Sequence, residues 1–154
     1  MKKYEFTGEV KLWFGRTLHR IRATVSFGEV DAGDIGGWIE KEENLDHDGN
    51  AWVYGNAQVY GDAWVCGNAR VCGDALVYKQ AHWLCTGPIG SRDDFTTFFR
   101  TKEKKIFVKC GCFRGDIDAF AAKVQLTHGD NVHAKVYMAG IELAKARIDL
   151  SGEE

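Results

Sequence analysis

From Gly49 to Leu84 the sequence repeats every six residues, as GNAWVY, GNAQVY, GDAWVC, GNARVC, GDALVY and KQAHWL. Val53, Val59, Val65, Val71 and Val77 stand six apart, and Ala51, Ala57, Ala63, Ala69, Ala75 and Ala81 keep the same step. A fixed period of this kind constrains a fold more than any single-element propensity does. Within each hexad, Ala-x-Val alternates small-in, variable-out and branched-in, which is the side-chain pattern of a short strand. Gly-Asn or Gly-Asp then turns the corner, because these residues reach positive φ at little cost. A short strand and a tight corner, repeated, predict a solenoid.

The hexads resemble the hexapeptide repeats of left-handed parallel β-helices, in which three hexads close one triangular coil. That resemblance implies a mainly-β fold: a left-handed parallel β-helix of about three coils. Stacking at i and i+18 then places Val53 on Val71 and Val59 on Val77. Stepping back by sixes from Ala51 reaches Leu45 and Ile39, and Ile35 lies 18 residues before Val53, so residues 33–50 read as a first, irregular coil. Repeat stacks expose unpaired edges at their ends and need caps.

The flanks supply them. Residues 1–30 read as an N-terminal β-hairpin cap, with strands around Tyr4–Phe14 and Leu18–Ala23 and a turn at Gly15–Arg16. Residues 31–86 form the repeat region, and residues 87–154 a small C-terminal ββαα module. Thr86–Ser91 is turn-like and holds the only proline, Pro88. Phe95–Thr101 and Ile106–Cys112 read as a hairpin. A first helix is predicted from the N-cap Asp116, with Ile117, Phe120, Val124 and Leu126 on one face, stopping at Gly129. A second follows Asp130 and carries Val132, Val136, Tyr137, Ile141, Leu143 and Ile148.

Charge is uneven. Residues 31–48 hold Asp31, Asp34, Glu40, Glu42, Glu43, Asp46 and Asp48 against Lys41 alone. Such a segment discourages direct nucleic-acid binding there and suits a basic partner, partly mimicking a nucleic-acid backbone. No apolar run is long enough for a membrane span, and the N-terminus lacks the apolar stretch of a secretory signal. Five cysteines, two of them in repeat slots otherwise held by Tyr, read as reduced thiols of a cytoplasmic protein.

FGRTLHRIRA, AGDIGGWIEKEENL and the VYGNA hexads together resemble a family of phage- and prophage-encoded hexapeptide-repeat accessory proteins. The tail, with TTFFRT, CGCFRG and HGDN, is similar to a CGCF-containing C-terminal module found on such repeats. The resemblance implies a protein acting in the cytoplasm of a bacterial host cell, on a host protein or a defence complex. It names no activity.

Four sets of residues are candidates for function. The outward aromatics Trp52, Tyr54, Tyr60, Trp64 and Tyr78, with Glu40, Glu42 and Glu43, form a candidate partner-binding surface, and the same aromatics predict a homo-oligomer. Ser91, Arg92 and Arg100 could hold a phosphate. Cys110, Cys112, His128 and His133 offer two thiols and two imidazoles, a donor set that suits tetrahedral zinc, although Cys-x-Cys is a tight spacing. Hexapeptide acyltransferases and γ-class carbonic anhydrases need catalytic or metal-binding histidines, and the repeat offers only His47 and His82. No cofactor is expected unless zinc binds. The reading is a non-enzymatic protein-binding module that inhibits a host or defence complex, for example as an anti-CRISPR. The alternatives are a nucleotide or small-molecule binder and a hexapeptide-type acyltransferase or metalloenzyme.

Overall fold

The computed structural model describes residues 2–152. Eleven strands and two helices follow one another along these residues. Strands β1 (Tyr4–Trp13), β2 (Arg16–Ala23) and β3 (Ile35–Ile39) pair antiparallel in sequence. The repeat contributes β4 (Trp52–Val53), β5 (Gln58–Val59), β6 (Arg70–Val71) and β7 (Leu76–Val77). Then come β8 (Trp83–Ile89), β9 (Asp94–Arg100), β10 (Ile106–Cys110) and β11 (Phe113–Asp116), followed by α1 (Ile117–His128) and α2 (Val132–Arg147).

The strands form three sheets: a mixed one in the order β1-β2-β3-β5-β7, an antiparallel one in the order β11-β10-β9-β8, and the two-stranded parallel pair β4-β6. This is not the left-handed parallel β-helix of about three coils that the hexads predicted. Parallel pairing is confined to ladders of two residues and one isolated bridge, and the larger share of the strand pairing is antiparallel. The expected first coil fails on register. Ile35 pairs antiparallel with Arg22 and is exposed, while Trp38 pairs with Gln58 and Leu45 with Val65, a step of 20 and not 18. The physical reason is that a hexad spares only two residues for ladder bonds, so the longer flanking strands set the architecture.

The inward pattern of the hexads is nonetheless physical. Val53 pairs with Val71 and Val59 with Val77, and Ala51, Ala57, Ala69 and Ala75 are fully buried beside them. Alanine is small enough to let successive turns approach. Gly49 has φ +74 and its missing Cβ would lie 2.8 Å from the Gly67 carbonyl oxygen, so both conformation and space demand glycine there.

The C-terminal module is four-stranded with two helices, not ββαα. Strand β8 runs through the predicted boundary at residue 86, and its place at the sheet edge tolerates Pro88, which has no N–H to donate. Neighbouring side chains on β9 face opposite ways: Phe99 joins the core with the repeat alanines and valines, and Phe98 joins the core under the helices. The antiparallel sheet therefore lies between the repeat region and the helical layer. Helix α1 is capped by Asp116, whose carboxylate accepts from the Ala119 N–H at 2.8 Å, and ends at Gly129 with φ +61. Helix α2 buries Ala134, Gly140, Ile141 and Ala144, whereas Val132, Val136 and Leu143 are exposed, as is Leu126 of α1. Among the described residues no helix is long and apolar enough to cross a membrane.

Candidate functional site

The five repeat aromatics do not make one face. Trp52 and Tyr60 are buried, Tyr54 and Tyr78 half-buried, and only Trp64 is exposed, at 49%. Trp52 pairs with Arg70 on β6, and its ring meets Phe27 edge-on at 5.4 Å. Tyr60 stacks on Tyr78 at 5.3 Å, and its hydroxyl accepts from Trp13 Nε1 at 3.3 Å. The N-terminal hairpin covers this pair, with the Arg16 guanidinium 5.2 Å from the Tyr60 ring. Part of what the repeat pattern reads as an outward surface is thus the seat of the hairpin.

The acidic segment divides in the same way. Glu40 accepts from Arg16 at 3.0 Å and from the Gly61 N–H at 3.0 Å. Glu42 accepts from Lys2 at 3.2 Å and meets His47 Nε2 at 3.0 Å, and these two partners hold its carboxyl below the usual range. Both side chains fix the fold of their own segment. Glu43 is exposed and forms no ion pair among the described residues. It lines a shallow depression of about 440 Å³ with Lys41, Gly61, Asp62, Ala63 and Trp64. The Trp64 main chain is held there, since its N–H donates to Gln80 Oε1 at 2.5 Å. The same oxygen accepts from Trp83 Nε1 at 3.1 Å. An indole beside two carboxylates, on a main chain fixed in place, offers a cationic side chain both a ring face and a counter-charge.

Asn44 explains why this rim is ordered. It is fully buried in the GGWIEKEENL segment, where its amide nitrogen donates to Ala63 O at 2.8 Å and Gly61 O at 3.2 Å. Its Oδ1 accepts from the Lys41 N–H at 3.0 Å. One side chain thereby fixes the short turn Glu42–Asn44 against the hexad corner that carries Asp62.

The phosphate and metal candidates partly converge. Ser91, Arg92, Cys110, Cys112 and His128 line one cavity of about 290 Å³, walled by Phe113, Phe120 and Tyr137. Arg100 is not part of it. Its side chain is fully buried, with the guanidinium 5.3 Å from the Tyr78 ring and Nη2 donating to the Ser151 carbonyl at 3.2 Å. Cys110 Sγ accepts from the Thr96 hydroxyl at 3.2 Å, and Cys112 is exposed. Burial, then the neighbouring Cys110, pushes the Tyr137 phenol up to about 12. His133 stands 5.5 Å from His128 ring to ring. Among the described residues no three His, Cys, Asp or Glu side chains converge as metal ligands.

The repeat histidines are bound to the backbone. His47 Nδ1 accepts from the Lys3 N–H at 3.0 Å, and its ring stacks on Tyr4 at 4.1 Å. His82 Nδ1 accepts from the Tyr78 N–H at 3.1 Å. Burial, then the cations Arg100 and Lys79, drives its pKa down to about 4 against the opposing pull of Asp149. Lys3 is buried too, donates to Ala51 O at 2.7 Å, and is pushed down to about 8 by desolvation.

The pattern of hexads gave no hint of a further surface on the hairpin. Val10 and Leu12 on β1, an outer strand of the mixed sheet, and Phe14 in the turn after it are 53%, 78% and 62% exposed. Loose alternation in the sequence marked these residues as strand but not as uncovered. No protein-family model matches the chain, and no curated protein matches it significantly.

Proposed function

We propose that this chain is a non-enzymatic protein-binding module of phage origin that engages a basic segment of a bacterial host protein or defence complex, such as a CRISPR effector, in the host cytoplasm. The observation that carries the reading is Trp64: alone among the five repeat aromatics it is left half-exposed, on a fixed main chain and beside the carboxylates of Glu43 and Asp62. Tryptophan anchors at the centre of interfaces, and a carboxylate rim selects a cationic partner and speeds encounter. The backbone-bound histidines favour a binding role over an acyltransferase or carbonic-anhydrase-like one. The resemblance of GGWIEKEENL and CGCF to prophage accessory proteins supports the setting.

The test is affinity capture from bacterial lysate with wild type, Trp64→Ala and Glu43→Lys. A captured nucleic-acid-handling protein is expected to be lost with Trp64→Ala, by a factor of about 30 for a hot-spot side chain. Glu43→Lys is expected to weaken capture mainly at low salt, where the field is unscreened. Capture indifferent to both substitutions would remove Trp64 from the interface.

A second reading rests on the C-terminal cavity, where Arg92 and Lys123 flank the walls of Phe113, Phe120 and Tyr137 and make no ion pair among the described residues. That combination suits a small anion with a flat apolar body. Native mass spectrometry of the purified chain decides it: a bound small molecule lost in Arg92→Ala supports a ligand-binding role.

A further inference from the structure

Strand β1 is an edge, and its outer half and the turn that follows carry three exposed large apolar side chains, Val10, Leu12 and Phe14. The hairpin fixes which backbone groups of that edge are unpaired. Phe14 and Gly15, with φ of 47° and 77°, form a two-residue turn of the I′ kind, closed by the Trp13–Arg16 pair. In such a hairpin the closing residues are hydrogen-bonded to each other, and bonded and non-bonded pairs then alternate along the ladder. Trp13 and Lys11 therefore bond inward to Arg16 and Leu18, while Leu12 and Val10 turn their N–H and C=O groups out toward solvent.

The charges on this edge are also incomplete. The Lys11 ammonium lies 4.7 Å from the Trp38 ring with Arg20 and Lys102 as its charged neighbours, and these like charges, after burial, lower its pKa. No acid of the described chain pairs with Lys11, and none of its cations pairs with Glu9, two residues away on the same strand. An edge with outward backbone groups, exposed apolar side chains and one unmet charge of each sign calls for a strand of matching pattern.

We propose that this strand is the chain's own: two copies join by antiparallel β1–β1 pairing across a two-fold axis at Val10. In this register Val10 meets Val10 of the second copy through two reciprocal backbone hydrogen bonds. Glu9, at the end of the β-bulge that separates Phe6 from Val10, comes beside Lys11 of the other copy twice over. A two-fold contact requires this self-complementarity of one patch, which an arbitrary edge lacks. Pairing also removes the hazard of an uncovered edge strand. The surface is separate from Trp64, so the two readings stand or fall independently.

Sedimentation of the purified chain across micromolar concentrations tests the pairing. The expected mass is twice that of the 17.2 kDa chain. Val10→Pro removes an N–H that points away from β2, so it is expected to leave circular dichroism unchanged and yield a monomer. Leu12→Glu, at a highly exposed position, serves the same purpose should the proline disturb the hairpin. Glu9→Lys and Lys11→Glu singly are each expected to weaken the dimer about tenfold or more by setting like charges opposite. The double reversal Glu9→Lys/Lys11→Glu is expected to restore it. A wild-type monomer overturns the proposal, as does a dimer that survives both Val10→Pro and Leu12→Glu. Failure of the double reversal to restore a dimer lost in the singles overturns the register.

Discussion

Arg16, at the start of β2, holds Glu40, just past β3, with one guanidinium nitrogen 3.0 and 3.2 Å from the two carboxylate oxygens. Glu40 also accepts the Gly61 N–H, so a single side chain ties the hairpin to a corner of the repeat. This makes Glu40 a structural acid inside a segment whose charge count suggested a binding surface.

Glu40→Lys is therefore expected to cost about 1–3 kcal/mol, since it breaks the hydrogen bonds and sets a cation against Arg16. Glu43→Lys, at an exposed position with no ion pair, is expected to stay within about 0.5 kcal/mol of wild type. Urea unfolding of the two variants is the measurement. Equal losses would show that Glu40 has no special place in the fold. Charge-reversal studies of binding accordingly belong at Glu43 and not at Glu40.

Gly36 and Gly140 make a contrasting pair. A Cβ on Gly36 would lie 2.7 Å from Ile21 Cγ1, Trp52 Cζ2 and the Val53 carbonyl oxygen, three neighbours on two elements. Gly36→Ala is expected to destabilise by about 1–3 kcal/mol through overpacking. On α2, a Cβ on Gly140 would find its nearest atoms at 3.7 Å, on Phe98 and Thr86. Gly140→Ala is expected to be neutral or to gain up to about 1 kcal/mol of helix propensity. Thermal melts showing the opposite order would mean that β3 does not press on β4 as closely as described.

The hexads made the inward residues legible because alternation within a short strand is a local matter: Ala51, Val53, Ala57 and Val59 are all buried. What covers the outward residues is not local. The side chains between the alanine and the valine of successive hexads meet different surroundings: Trp52 lies against Phe27, Leu76 in the cluster with Leu18 and Trp38, and Trp64 against solvent. Nothing in their spacing distinguishes them. The step of 20 at Trp38 and Leu45 was hidden because Ile39 and Leu45 keep the six-residue step between themselves, while two extra residues lie between Leu45 and Val53, where the earlier segment joins the hexads. Helix α2 misled in another way. Its large apolar residues Val132, Val136 and Leu143 suggest a buried face, yet small Ala134, Gly140 and Ala144 let the helix approach Phe98 closely, and close approach won. At the candidate site, Glu43 was legible as charge, but the exposure of Trp64 and the uncovered edge of β1 depend on which neighbours the chain lacks.

His82 gives the fold an acid-sensitive point. The ring is fully buried, lies edge-on to Tyr78 at 4.4 Å and accepts the Tyr78 N–H through Nδ1, so the neutral form is the one that fits. Burial first, then Arg100 and Lys79, lowers its pKa from 6.5 to about 4. Because the folded value lies below the unfolded one, the unfolded chain binds more protons between these limits. The stabilisation is complete above about pH 6.5 and is lost as the pH falls toward about 4. At about 1.4 kcal/mol per unit, this is on the order of 2–3 kcal/mol across the window. His82→Gln removes the titrating group. The variant is expected to be less stable at neutral pH, because it loses the ring's packing, but its unfolding free energy should fall less steeply as the solution is acidified. Urea melts at a series of pH values compare the slopes, and identical slopes would mean that the acid sensitivity lies in the carboxylates and not in this imidazole.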